Sequence, residues 1–118
     1  MITGQFRIAA QPEKILRHIR KTETCIERGR GLLGCSLLEE GHGMLISPCN
    51  SIHTFFMKIP LDIIYLDRSC RIVAMRENMQ PYRFSMCRRA SSVLELMAGQ
   101  IHISGLRKGD HLQWIPQP

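Results

Sequence analysis

Residues 61–66 read LDIIYL and residues 71–75 read RIVAM, with Asp67, Arg68, Ser69 and Cys70 between them. The first run is rich in β-branched and aromatic side chains and apolar at both parities. That pattern marks a strand buried on both faces and set inside a sheet rather than at its rim. The interval is polar and short enough for a tight turn, so the two runs predict an antiparallel hairpin.

Reading upstream from the hairpin, Gly41-His42-Gly43 is a turn, and Met44-Leu45-Ile46 is a strand stopped by Pro48. Residues 49–53 are polar and loop-like. Thr54-Phe55-Phe56-Met57 reads as a short strand broken before Pro60. Thr24 and Glu27 form a T-x-x-E capping box that opens a short helix through Leu33, stopped at Gly34. Residues 13–23, EKILRHIRKTE, are ambiguous: Ile15, Leu16 and Ile19 have helical spacing behind Pro12, while Leu16, His18 and Arg20 alternate as on a strand. Residues 1–15 form an N-terminal arm or an extra strand, with weak alternation at Ile2, Phe6 and Ile8.

Downstream, residues 77–92 are loop-rich. Val93-Leu94-Glu95-Leu96 is a strand closed by Ala98-Gly99, residues 100–106 make a short helical turn, and residues 111–115 are the last strand before a frayed tail at 116–118. Many short strands, tight turns and one or two short helices predict a mainly β (α+β) fold, a small, partly open β-barrel in a single domain.

The chain has 118 residues, 44% hydrophobic and 22% charged, which supports one folded core and argues against disorder. Its uncharged apolar runs fall well short of the ~20 residues of a membrane span. The start, MITGQFRIAAQPEK, lacks a basic segment followed by an apolar one, so no signal peptide is read and the expected location is cytoplasmic. The formal charge is +6, but its lysines and arginines are scattered and the aromatics few, so a nucleic-acid partner is disfavoured against a solvated basic surface. Five cysteines, at 25, 35, 49, 70 and 87, form no C-x-x-C pair, and reduced thiols are expected. No P-loop, G-x-G-x-x-G, H-E-x-x-H or G-x-S-x-G motif occurs. The methionines are read mainly as core filling.

Several segments occur in a fixed order: R-x-R-G-L-L-G, G-x-G-M-x-I, P-C-N-S-I-H-T-F-F-M, P-L-D-I-I-Y-L-D, a distant P-x-R, C-x-x-A-x-x-V-L-E-L-x-A-G and G-D-x-L. In that order and spacing they resemble domain-of-unknown-function family 192, also called unclassified protein family 0127. The resemblance spans residues 22–115. It implies a compact, barrel-like β fold and a strand just before Thr24, which places residues 16–22 in the sheet and the domain over 16–115. It implies no reaction, cofactor or partner. Many members carry a leader or membrane anchor.

The densest polar constellation is Cys49, Asn50, Ser51, His53 and Thr54. Cys49 with His53 is a candidate nucleophile and base, which requires about 3 Å between them. Cys49, His53 and Cys87 are weak candidate metal ligands. Cys35 and His42 extend the spacing to C-x6-H-x6-C-x3-H, which matches no compact zinc module. The competing reading buries both cysteines and spends His53 and Thr54 on loop backbone. Lys58 and Asp62 flank Pro60 and either pair or line a pocket mouth. Glu95, if inward, needs a partner such as Arg30 or Lys58. The reading favoured is a non-enzymatic binding or accessory module without a cofactor. Its groove runs along residues 49–62 and offers Ser51, His53, Thr54, Lys58, Asp62 and Glu95 to a protein or small molecule. A Cys/His enzyme or metal protein, and a weak nucleic-acid binder, are the alternatives.

Overall fold

The computed structural model describes residues 2–22, 42–55 and 57–117. The capping box at Thr24 and Glu27, its helix, Cys25, Arg30 and Cys35 lie outside the described residues. The elements are β1 (Ile2–Ile8), β2 (Gln11–Lys21), β3 (Gly43–Ile46), β4 (Ser51–His53), β5 (Leu61–Leu66), β6 (Ile72–Met79), β7 (Phe84–Met86), β8 (Ser92–Met97), α1 (Gln100–Ser104) and β9 (Leu112–Pro116). Seven strands make one sheet in the order β6-β5-β8-β3-β2-β1-β9, and β4 pairs with β7 in a separate two-stranded ribbon.

The predicted hairpin is present. β5 and β6 are antiparallel, with Ile64 opposite Met75 and Tyr65 opposite Ala74. Their turn is tied by Asp67, whose Oδ1 accepts the N–H of Ser69 at 2.8 Å and of Arg71 at 3.0 Å. β5 lies between β6 and β8 and all six of its residues are buried. Strand alternation sends Ile64 and Leu66 into one core cluster and Leu61, Ile63 and Tyr65 into another. The sheet therefore has apolar packing on both sides, as the run LDIIYL requires.

The first cluster fills the concave side of the sheet with Phe6, Ile19, Leu45, Leu94, Leu112 and their neighbours. α1 covers one end of it with Ile101, and Leu106 follows. The sheet is not closed into a barrel: the starts of the edge strands β6 and β9 meet through an isolated bridge of Arg71 with His111 and the backbone bonds that flank it. This is the partly open form of a barrel. The second cluster, on the other side, holds Met44, Ile63, Tyr65 and Val93 with Ile52 of the ribbon.

Two local expectations change, and the ambiguity over residues 13–23 resolves. Residues 13–21 belong to β2, so the strand reading of residues 16–22 holds and the helical alternative does not. Leu16 pairs with Phe6 and Ile19 with Gly4, so β2 advances three residues while β1 advances two. The extra residue is a β-bulge, with His18 at φ 60°. A bulge returns side chains at i and i+3 to the same face, which imitates helical spacing. The second short strand is β4 over residues 51–53 rather than 54–57, because Thr54 turns inward to bond the loop at 80–83. Residues 77–92 are less loop-like than expected: β6 continues to Met79 and β7 occupies Phe84–Met86. Among the described residues, no helix is long and apolar enough to cross a membrane.

Candidate functional site

The polar side chains of residues 49–62 separate into two groups. Asp62 and Thr54 are fully buried and bonded to backbone. Asp62 Oδ1 accepts the N–H of Asn78 at 2.8 Å, and its Oδ2 accepts those of Gly99 at 3.0 Å and Ile101 at 2.9 Å. One carboxylate therefore joins β5 to the end of β6 and to the start of α1. Among the described residues it makes no ion pair with Lys58, which is exposed across Pro60. The Thr54 hydroxyl donates to Gln80 O at 2.7 Å and accepts the N–H of Arg83 at 2.9 Å.

Glu95 is only 5% exposed, so it does not lie on the solvent face. It does not share a groove with Asp62 either. Asp62 has the parity of Ile64 and Leu66, which face the first cluster, whereas Glu95 has the parity of Val93, which faces the second. The two carboxylates sit on opposite faces of the sheet.

Cys49 and His53 each bond nearby backbone. Cys49 is half-buried against the second cluster and donates its S–H to Ser51 O at 2.9 Å. His53 is exposed, and its Nδ1 accepts the N–H of Phe55 at 3.3 Å. Cys87 is also half-buried beside the second cluster, and its N–H bonds Asn50 O at 2.8 Å. Cys49, Cys70 and Cys87 are free thiols. No group of three or more His, Cys, Asp or Glu side chains suited to a metal ion occurs among the described residues, so Cys49, His53 and Cys87 do not converge.

The concave side of the sheet opens at the end opposite α1. A cavity of about 660 Å³ lies there. Its walls come from the end of β2 (Lys21), the loop after β3 (Ser47, Asn50), the β5–β6 turn (Arg68) and the approach to β8 (Ser91). Phe6 and Trp114 form an apolar wall, edge to face at 5.1 Å. Gly4 makes room for that indole, since a Cβ there would stand 2.5 Å from Trp114 Cζ2 and 2.7 Å from Ile115 O. Cys49 and Cys70 also border the cavity. Burial pushes the Cys70 thiol above its usual range, the Asp67 carboxylate adds to this, and Lys21 opposes it. Of the earlier candidates, the cavity takes Cys49 and Asn50 but not Ser51, His53, Thr54, Lys58, Asp62 or Glu95. Lys21, Arg68, Ser91 and Trp114 carried no local signal, because only the sheet order brings them together.

The β4–β7 ribbon reverses the usual pattern of a strand. Ser85 of β7 points inward at 4% exposure, and its Oγ is 2.6 Å from the buried Tyr65 hydroxyl. Burial raises the Tyr65 pKa, with the Ser85 hydrogen bond acting against that rise. Phe84 and Met86, on either side, point outward at 58% and 53% exposure. Phe55 and Tyr82 continue the exposed apolar surface beyond the ribbon.

Comparison with known proteins gives a family but no activity. The model of the family described as "Uncharacterized ACR", DUF192, matches residues 7–114. A UPF0127 protein of Thermococcus kodakarensis is 27% identical over 104 residues, covering 83% of this chain and 65% of that protein. A UPF0127 protein of Thermococcus gammatolerans is 29% identical over 101 residues, covering 82% of this chain and 66% of that protein. The chain thus spans less than two thirds of the length of either relative. A solved protein of unknown function from Novosphingobium aromaticivorans superimposes with a TM-score of 0.78 at 22% identity, covering 95% of this chain and 84% of that one. A solved Sinorhizobium meliloti protein described as a "putative transcription regulator" gives 0.85 at 23% identity, covering 95% and 93%. At these identities the likeness is one of fold.

Proposed function

We propose that this chain, which belongs to the uncharacterised domain-of-unknown-function family 192, is a binding module that holds a small anionic molecule in the open end of its curved sheet. The observation that carries this reading is the cavity of about 660 Å³ with two kinds of wall. Ligand sites typically enclose about 300–1,000 Å³, are largely apolar and carry a few placed polar groups. Trp114, backed by the fully buried Phe6, suits a flat or apolar portion of a ligand. Lys21 and Arg68 suit a carboxylate or phosphate, with Ser47, Asn50 and Ser91 as neutral partners, while the one carboxylate on the wall, Asp67, accepts the N–H groups of Ser69 and Arg71 through Oδ1. The site needs no catalytic group, and the reading is of binding rather than turnover.

Trp114 is the one tryptophan of the chain, so its emission reports on this cavity. Titration with a panel of small aromatic and aliphatic acids should give a saturable change in that emission. Each charge-assisted hydrogen bond contributes about 1.5–3 kcal/mol, so Lys21→Ala or Arg68→Ala should weaken binding about 10-fold or more. A panel that leaves the emission and the melting temperature unchanged would refute the reading.

A further inference from the structure

The ribbon on the other side of the sheet presents a second surface with different chemistry. We propose that the outward face of the β4–β7 ribbon is a platform for single-stranded nucleic acid. Three independent observations lead there.

The first is the reversed strand. Interior positions normally take the apolar residues, so a strand that buries Ser85 and exposes Phe84 and Met86 is informative in a way that an isolated exposed phenylalanine is not. The second is that the rings are arranged. Phe55 and Tyr82 lie 6.3 Å apart between centroids with 27° between planes, and His53 lies 5.0 Å from Phe55. Their display is fixed from beneath by Thr54. Its carbonyl accepts the N–H of Tyr82 at 2.9 Å, its hydroxyl accepts that of Arg83 at 2.9 Å, and its N–H bonds Arg83 O at 2.9 Å. Tyr82 is thereby held at φ 62°, a backbone region that bulky side chains rarely occupy, while its ring stays 58% exposed. Strain of this kind at a displayed side chain points to use of that side chain.

The third is charge. Residues 49–60 and 80–91 contain no Asp or Glu, and they carry Lys58, Arg83, Arg88 and Arg89, all exposed. The acids nearest in sequence are Asp62, whose oxygens are already taken by backbone, and Glu77 on β6. An acid-free basic segment in which Tyr82, Arg83 and Phe84 are consecutive has the two elements a single-strand binder combines. The rings stack on bases, which tolerate any sequence, and the cations follow phosphates. Scattered through the linear sequence these elements form no stripe; pairing β4 with β7 sets His53 opposite Phe84 with Arg83 beside them, while Arg89 donates to Val73 O on β6. The face favours bases over lipid because, among the described residues, its exposed apolar groups are planar rings and one methionine. The aliphatic side chain of the ribbon, Ile52, points inward, and the exposed Ile2 and Ile103 lie on other elements. Duplexes are disfavoured because their bases are already stacked.

The test is fluorescence anisotropy with a labelled 15-nucleotide oligo(dT) at low salt, with a duplex of the same length, phosphatidylserine vesicles and polyglutamate as alternative occupants. The expected result is binding to the single strand in preference to all three. Phe84→Ala and Phe55→Ala should each weaken it about 5- to 100-fold, and Phe84→Trp should retain it. Arg83→Gln should lower the slope of log affinity against log salt by about 0.7. Trp114 emission should not change, which separates this face from the cavity. Absence of binding at low salt, equal affinity of Phe84→Ala, equal affinity for the duplex, or stronger binding to vesicles or polyglutamate would overturn the proposal. Unchanged circular dichroism of the variants confines the effect to the exposed rings.

Discussion

The interior of the large sheet and the outer face of the small ribbon use side chains in opposite ways. In the sheet, the charged residue Asp62 is 0% exposed and serves the fold; on the ribbon, the apolar residue Phe84 is 58% exposed and adds nothing to a core. Chemistry-bearing residue types are therefore a poor guide to function here. What separates structural from functional use is whether a side chain has its partners inside the molecule. Asp62 has three backbone N–H partners, and Thr54 binds both Gln80 and Arg83. Phe84 and Met86 face solvent.

Removing the Asp62 carboxylate tests the contrast most severely. Asp62→Ala leaves three backbone donors in or beside the core without an acceptor, at about 1–3 kcal/mol for each that stays buried. The expected loss is about 3–5 kcal/mol, a large part of the stability of a domain this size. Urea denaturation monitored by circular dichroism measures it. Asp62→Asn keeps one acceptor oxygen and should lose less. A loss below about 1 kcal/mol for Asp62→Ala would break the contrast, because it would free this carboxylate for a binding role.

Thr54 lies on the boundary between the two regions. Thr54→Val keeps the shape but removes the acceptor for Arg83 N–H and the donor to Gln80 O. A loss of about 2 kcal/mol is expected. Hydrogen exchange should accelerate at Tyr82 and Arg83 well before it does in β5. Uniform acceleration across both would mean that ribbon and sheet open as one unit and that the clasp has no local role.

Residues 61–66 announced their own burial because both parities were apolar, and the hairpin with β6 followed from the short polar turn. β8, β9 and the helical turn at 100–104 were legible for the same reason: each is decided by local pattern. Two kinds of feature were not. The bulge at His18 gives β2 a spacing of three between Leu16 and Ile19, which no local rule distinguishes from a helix. The facing of β7 is set by one distant bond, Tyr65 to Ser85, which draws the serine in and turns its apolar neighbours out. At the level of the site, Cys49 and Asn50 reach the cavity, but its cations and its tryptophan arrive on other strands. Much of the polarity of residues 49–62 ties the backbone together, as Cys49, Thr54 and Asp62 show.

Alkaline pH examines the interior alone. Burial raises the pKa of the Cys70 thiol and of the Tyr65 hydroxyl, so the folded state favours both neutral forms. Between its unfolded and folded pKa values each group binds more protons when folded, and stability there falls with rising pH. Stability is thus full below about 8.5, where an unfolded thiol begins to ionise, and declines above it, with tyrosine adding its share from about 10. Urea midpoints at pH 7, 9 and 10.5 should fall in that order, and Cys70→Ser with Tyr65→Phe should flatten the decline. At pH 8, Cys70 should alkylate more slowly than a peptide thiol, as read by mass spectrometry. A midpoint that rises over this range would contradict the assigned directions.

The smallest effect is expected where the apolar surface is largest. Phe84→Ala removes a ring already in water and should change stability by no more than about 0.5 kcal/mol. Tyr82→Asn goes further in the same direction. Tyr82 stands at φ 62°, where a bulky residue is strained by roughly 1 kcal/mol and asparagine is far better tolerated. The backbone bonds that hold the position run from its N–H to Thr54 O and from the next N–H to Thr54 Oγ1, and neither involves the tyrosine ring. Relief of the backbone strain and loss of the ring contact with Phe55 oppose each other, so the stability should stay within about 0.5 kcal/mol of its original value. A displayed ring that costs the fold little when removed is kept for something other than stability. If Tyr82→Asn instead lowers the urea midpoint by the equivalent of more than about 1 kcal/mol, the ring packs for stability, and the division between a sheet that folds and a ribbon that binds loses its sharpest example.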